Sequence, residues 1–114
     1  MNFKEFIASN FVNLWIREPY IRIYVRKSYR HLGGKNLIPC FDIGNVEVSE
    51  RHRGKKVFTR FLRRVEQHAK ETGRAVFVES VMEPRLADFL KRFGYRVDPR
   101  TEETLAPSFW KNPT

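Results

Sequence analysis

Between Lys56 and Gly94 the spacing of apolar residues changes twice, and this limits the fold more than any other feature of the chain. From Lys56 to about Thr72, Val57, Phe58, Phe61, Leu62, Val65 and Ala69 recur on one helix face, and Gly73 is a natural stop. RAVFVESV follows as a continuous β-branched run, the pattern of a buried strand. Pro84 then opens a second helix, with Leu86, Phe89, Leu90 and Phe93 along one side and Gly94 as terminator. Upstream, YIRIYVRKSYR alternates and reads as a strand ending at the Gly33-Gly34 turn. One of its faces carries Tyr20, Arg22, Tyr24, Arg26, Ser28 and Arg30; the other carries Ile21, Ile23, Val25, Lys27 and Tyr29. NLIPCFDIGNVEVS supplies one strand or two, with Pro39 and Gly44 marking a bend or bulge.

YRV and TLAPSFWK add two short strands at the end. At the start, Phe3, Phe6, Ile7, Phe11, Leu14 and Trp15 predict one amphipathic helix stopping before Pro19. Few cations share its polar face, which favours a helix laid on a sheet over one lying in a membrane surface. The expected fold is α/β (mixed α+β), a mixed sheet covered by helices in the order α-β-β-β-α-β-α-β-β. With no linker or repeat in 114 residues, a single domain over 1–114 is expected.

Charge narrows the partners. Twenty-two Lys and Arg against 13 Asp and Glu give a net +9 and a pI near 10.1. That balance favours an anionic partner: nucleic acid, a membrane surface or a phosphorylated small molecule. A lone Cys40 excludes an intrachain disulfide and suits a reducing compartment. No basic-then-apolar leader opens the chain, and no apolar run approaches the roughly 20 residues of a membrane span. A cytoplasmic protein with no membrane partner is the expectation.

Seven of the cations, Arg51, Arg53, Lys55, Lys56, Arg60, Arg63 and Arg64, fall in one stretch free of acids. There the chain passes from strand through a glycine-containing loop into a helix. Such a junction gathers unpaired backbone N–H groups at the positive end of the helix dipole, and so makes an anion site that suits a pyrophosphate. Arg60, Arg63 and Arg64 read as a solvated helix face, leaving Arg53, Lys55 and Lys56 for a ligand. His31, His52 and His68 are scattered, and no clustered His/Cys set suggests a metal.

VEVSERHRGKKVFTRFL resembles the acetyl-CoA-binding motif of the GNAT superfamily of N-acetyltransferases. There a strand ending in Val-x-Pro leads through Arg-Gly-x-Gly-x-Gly/Ala into a helix with a Leu-Leu pair. Val48 takes the valine, Glu50 the proline, Arg53-Gly54-Lys55 the Arg-Gly-x, and Phe61-Leu62 the apolar pair. RLADFLKRFGY is similar to the family's second motif, with Phe89, Gly94 and Tyr95 in register. The whole resembles the compact stand-alone members that phage genomes often carry.

The resemblance implies a sheet splayed between the strand before Arg53 and the strand Arg74–Ser80. It implies acetyl-CoA as cosubstrate, with pantetheine along Val46 and Val48 and pyrophosphate on Arg53, Gly54, Lys55, Lys56, Val57 and Phe58. The reaction it implies is direct attack of a primary amine on the thioester, with no metal. Asp42 or Glu47 is then the candidate base. Three positions depart from the pattern: Lys56 and Phe58 replace glycines of the loop, and Leu90 replaces a tyrosine that reprotonates the thiolate. Tyr95, Ser80 or water is left for that proton. Glu79 suits either the substrate side or an ion pair with an arginine, and Phe109 and Trp110 either the acceptor wall or the core.

The expected partners are acetyl-CoA and an amine-bearing acceptor, small molecule or protein; a homodimer is compatible. The alternative is a catalytically weak binding protein on the same scaffold. It would use the Tyr/Arg strand face and the basic surface to engage nucleic acid or an acidic protein.

Overall fold

Ser9 ends the N-terminal helix far earlier than the apolar spacing predicts. The computed structural model describes residues 1–54 and 56–113. Helix α1 runs only from Phe3 to Ala8. Asn2 and Glu5 cap its start reciprocally, and both the N–H and the hydroxyl of Ser9 donate to the Phe6 carbonyl at its end. The rest of the predicted helix is strand β1, Asn13–Glu18. There Leu14, Ile16 and Glu18 turn inward while Trp15 and Arg17 stay exposed, a period of two rather than 3.6. β1 pairs antiparallel with β2, Ile21–Arg30, across a two-residue turn at Pro19 and Tyr20. Proline in the first turn position and a φ of 71° at Tyr20 are the conformations that a type II turn requires.

NLIPCFDIGNVEVS forms a single strand, β3, Ile38–Val48. A 3-10 turn, Glu50–His52, leads to helix α2, Val57–Thr72, which stops at Gly73 in the left-handed conformation. β4, Ala75–Val78, helix α3, Pro84–Arg92, β5, Arg96–Val97, and β6, Phe109–Lys111, complete the chain. The element order is therefore α-β-β-β-α-β-α-β-β, with β1 supplying the strand that a division of residues 38–48 would have supplied.

The six strands form one mixed sheet in the order β1-β2-β3-β4-β6-β5, with β3 and β4 parallel. Parallel neighbours need a crossover, which α2 provides. The three α-helices of the described residues pack on one face. Phe3 and Phe6, then Phe61, Leu62 and Val65, then Leu90 meet Ile16, Ile23, Ile43, Val76 and Val78 in one core. Each side chain so buried contributes about 1.5–3 kcal/mol. On the other face a smaller cluster of Leu32, Cys40, Ala75 and Phe77 packs against Ile38 and Trp110, and no helix joins it among the described residues. None of the described helices is long and apolar enough to cross a membrane.

Candidate active site

β3 and β4 are paired only from Cys40–Ala75 to Ile43–Val78, and the N–H of Glu79 donates to the Ile43 carbonyl at 2.8 Å. Past that bond the two strands separate. β3 continues to Val48 with β2 as its partner, so the opposite backbone edge of residues 44–48 borders a gap. Its register with β2 jumps from Tyr24–Gly44 to Arg22–Glu47, and Asn45 in between has φ 48°. Such a bulge re-aims the strand's backbone groups. On the opposite lip Ser80, at φ 49°, donates its N–H to Ser108 Oγ at 3.0 Å and so ties the end of β4 to the segment before β6.

The loop after β3 ends at the N-terminus of α2. Gly54 has φ 78°, and Lys56, the N-cap, sits at φ 61° with no side-chain bond closing the helix start. The first turn carries no acid, so the positive end of the dipole is not neutralised locally. The first helical bond is donated by Arg60 to the Lys56 carbonyl, leaving the N–H groups of residues 57–59 without an intrahelical acceptor. Val57 is buried and Phe58 packs against the helix-side core, so the first-turn side chains turn inward. Arg53 reaches back to the Val48 carbonyl at 3.4 Å. The His52 ring stacks on Tyr20 at 3.5 Å, pinning the loop to the β1–β2 turn. Lys55 lies outside the described residues.

Asp42 is 2% exposed and fully engaged. Arg26 Nε donates to it at 3.0 Å, Arg30 Nε at 3.1 Å, Arg30 Nη2 at 2.8 Å and Ser28 Oγ at 2.7 Å. Both arginines also donate to Glu79, Arg30 at 2.9 Å. Glu79 lies over Gly44, where a Cβ would stand 3.2 Å from its Oε2. Burial and the neighbouring Asp42 charge push the Glu79 carboxyl above its ordinary range, against the pull of the two arginines. Glu47, by contrast, is exposed and pairs with Arg22 at 3.4 Å.

Tyr95 is buried on the helix side and donates to Glu66 Oε2 at 2.7 Å. Burial first, and Glu66 second, raise its hydroxyl far above the usual tyrosine value. Leu90 is wholly buried in the helix-side core. Burial also pushes the Cys40 thiol up to about 11, which suits a packed rather than a reactive cysteine.

Residues 24–97 match the family model described as the acetyltransferase (GNAT) domain. The chain belongs to the GNAT acetyltransferase family. Its fold is shared by a mutant of the AtaT toxin bound to the C-terminus of the antitoxin AtaR and acetyl-CoA. That likeness has a TM-score of 0.58 at 13% identity, covering 82% of this chain and 59% of that one. The KacTA–DNA complex gives 0.58 at 14% identity, covering 89% and 65%. An acyl-CoA N-acyltransferase from Klebsiella pneumoniae gives 0.53 at 14%, covering 87% and 77%. This GNAT chain thus spans about three-fifths of the length of the first two. At such identities the likeness establishes the fold alone. No curated protein matches the chain.

On this GNAT scaffold Val46, Glu47 and Val48 lie on the stretch of β3 that borders the gap, the loop from Arg53 follows it, Asp42 stands in the paired part of β3 below it, and Tyr95 is buried on the helix side. The structure also adds residues that motif reading does not single out: Arg26, Ser28 and Arg30, joined with Glu79 around Asp42. The signal for them was the Tyr/Arg alternation of β2, which places Arg26, Ser28 and Arg30 on one face, two residues apart. Beside Glu79 opens a cleft of about 330 Å³, lined also by Arg30, Phe77, Asp98 and Arg100. Phe109 is core, and Trp110 belongs to the smaller cluster.

Proposed function

We propose that this GNAT protein is an N-acetyltransferase that moves the acetyl group of acetyl-CoA to a primary amine by direct attack. One observation carries the reading. An open strand edge, an uncapped helix N-terminus and a carboxylate of raised affinity for protons meet at the same gap in the sheet. The amides of residues 57–59, preceded by Arg53, Gly54 and Lys56, suit a pyrophosphate; Lys55 adjoins them in sequence. The free edge near Val46 and Val48 suits the amide groups of a pantetheine arm.

Acetyl-CoA would supply a thioester whose thiolate leaves readily near neutral pH. Glu79 takes the proton that the amine must lose, and its raised value brings it closer to working pH. The amine nitrogen then bonds to the carbonyl carbon as the carbon–sulfur bond breaks. A backbone N–H of the open edge donates to the carbonyl oxygen as charge develops there. The sulfur takes a proton from water or Ser80, because the Tyr95 hydroxyl is committed to Glu66. Asp42 positions rather than reacts: its lone pairs are filled by two arginines and a serine, and it holds both guanidinium groups against Glu79. Glu47 stays an exposed strand residue.

Calorimetric titration with acetyl-CoA, followed by thiol release in the presence of amines, tests this. Glu79→Gln is expected to keep acetyl-CoA affinity and to lose about 10²–10⁴ in kcat. Absence of binding at millimolar acetyl-CoA overturns the reading.

A second reading has one observation in its favour. On the helix-free face the Arg22 guanidinium lies 4.0 Å over the Trp15 ring, and Trp15 and Tyr24 are 5.5 Å apart. Such a row can stack bases. Its signature is oligonucleotide binding that weakens steeply with salt, without thiol release.

A further inference from the structure

The cleft beside Glu79 is lined by charges of both signs, Glu79 and Asp98 with Arg30 and Arg100, and they are held in place. Arg100 lines the same cleft as Glu79, in a turn built on Asp98. The Arg100 N–H and Nε both donate to Asp98 Oδ1, at 3.2 and 3.4 Å, and Nη2 donates to the His31 carbonyl at 3.1 Å. A guanidinium has five N–H donors in a fixed fork, so three of those on Arg100 remain for a ligand. Its side chain is 61% exposed and oriented, while its partner Asp98 is buried.

Glu79 is oriented by Arg26 and Arg30. Phe77, 2% exposed, lines the cleft beneath the Arg30 guanidinium, which lies 3.9 Å over its ring. Along the lining two acids, Glu79 and Asp98, balance two arginines, Arg30 and Arg100, so a simple cationic amine gains little from the overall charge of the cleft. A molecule with an ammonium at one end and an anion at the other gains from both Glu79 and Arg100. At about 330 Å³ the cleft is at the small end of ligand sites.

We propose that the acceptor is a small amino acid–like zwitterion, its amine directed at Glu79 and its carboxylate taken by the free fork of Arg100. The proposal rests on the acetyl-transfer reading and adds the acceptor's class. Acetylation of such a molecule forms the nitrogen–carbon bond and breaks the carbon–sulfur bond as above, and the carboxylate is unchanged.

The test measures thiol release from acetyl-CoA with matched pairs of amines, such as β-alanine with ethylamine and γ-aminobutyrate with propylamine, together with the common α-amino acids. The expected result is a kcat/KM at least tenfold higher for the carboxylated member of a pair. Arg100→Gln should collapse that ratio toward one, mainly through KM, and Arg100→Lys should restore part of it by keeping the charge without the fork. Calorimetry with acetyl-CoA on each variant reports the other site. Equal kcat/KM within pairs, or a ratio that Arg100→Gln leaves intact, overturns the proposal. So does acetyl-CoA binding with turnover confined to protein-borne or nucleic acid–borne amines, an outcome that leaves acetyl transfer standing. Failure to bind acetyl-CoA at all overturns both.

Discussion

Asp42→Asn is the substitution that most directly separates a positioning carboxylate from a reacting one. The carboxylate accepts four short bonds, from Arg26 Nε, two Arg30 nitrogens and Ser28 Oγ. An amide of the same shape keeps one acceptor oxygen and turns an NH₂ group toward guanidinium donors, so about two of the four bonds are lost. Charge-assisted bonds contribute up to about 3 kcal/mol each, and partial exposure of both arginines brings this nearer to about 1.5. The loss of stability is therefore about 3 kcal/mol, which for a chain of this size lowers Tm by roughly 10 °C.

The same change removes the Asp42 charge that helps to raise Glu79, and leaves both arginines to Glu79 alone. Glu79 then titrates lower, and the acid limb of the rate–pH profile moves to lower pH. Circular dichroism melts and thiol-release rates across pH read the two effects. A Tm within about 2 °C of the parent, or an acid limb that stays in place, refutes the reasoning. A folded variant inactive at every pH would make Asp42 itself the base.

Lys56→Gly should raise stability by about 0.5 kcal/mol, because glycine reaches φ 61° without the Cβ penalty. It should also weaken acetyl-CoA binding and flatten its salt dependence; melts and calorimetry at two salt concentrations check both, and a lowered Tm would contradict the first. In Gly44→Ala the new Cβ meets Glu79 Oε2 at 3.2 Å and forces that carboxylate to shift by a few tenths of an ångström. A roughly tenfold lower kcat with little change in melting is expected, and an unchanged kcat counts against Glu79 as base. Tyr95→Phe removes the bond to Glu66 and should cost about 1–2 kcal/mol at neutral pH. Because folding raises the Tyr95 pKa above its ordinary value of 10.0, its contribution is complete below pH 10 and declines as pH climbs past that value. The variant should therefore show a shallower alkaline loss of stability in denaturant titrations, and an unchanged slope would exclude Tyr95 as its source.

The elements with strong periodicity were readable from residue order. Val57 to Ala69 made α2, the alternation from Ile21 made β2, and Pro84 opened α3, as their spacing predicts. What misled was a short apolar set that satisfies two periods at once. Phe3, Phe6, Ile7, Phe11 and Leu14 fit a helix, yet Leu14 and Ile16 also fit a strand, and only pairing with Val25 and Ile23 decides between them. The turn that permits that pairing was hidden because Tyr20, rather than glycine, holds its positive φ, with its ring stacked on His52. The insertion of β6 between β4 and β5 depends on long-range pairing that no local pattern encodes. The strand–loop–helix junction at Gly54 was legible because its glycine and its flanking elements are contiguous along the chain. The Asp42 network was not, since its hydrogen-bonded partners stand 12 to 53 positions apart.

A sheet with all its helices on one side places unequal demands on its two faces. Side chains on the helix side are fixed by interlocking volumes, so any change there is felt throughout the core. Trp15, Arg22 and Tyr24, on the other side, form an exposed row in which Arg22 also pairs with Glu47, and among the described residues no helix covers them. Substitutions there can revise what the surface recognises with little effect on whether the chain folds. The loop at Gly54 and Lys56 has no such freedom, because its backbone is set by the strand before it and the helix after it. The packed core and the Asp42 network are built to stay as they are, while the row at Trp15, Arg22 and Tyr24 is free to diverge.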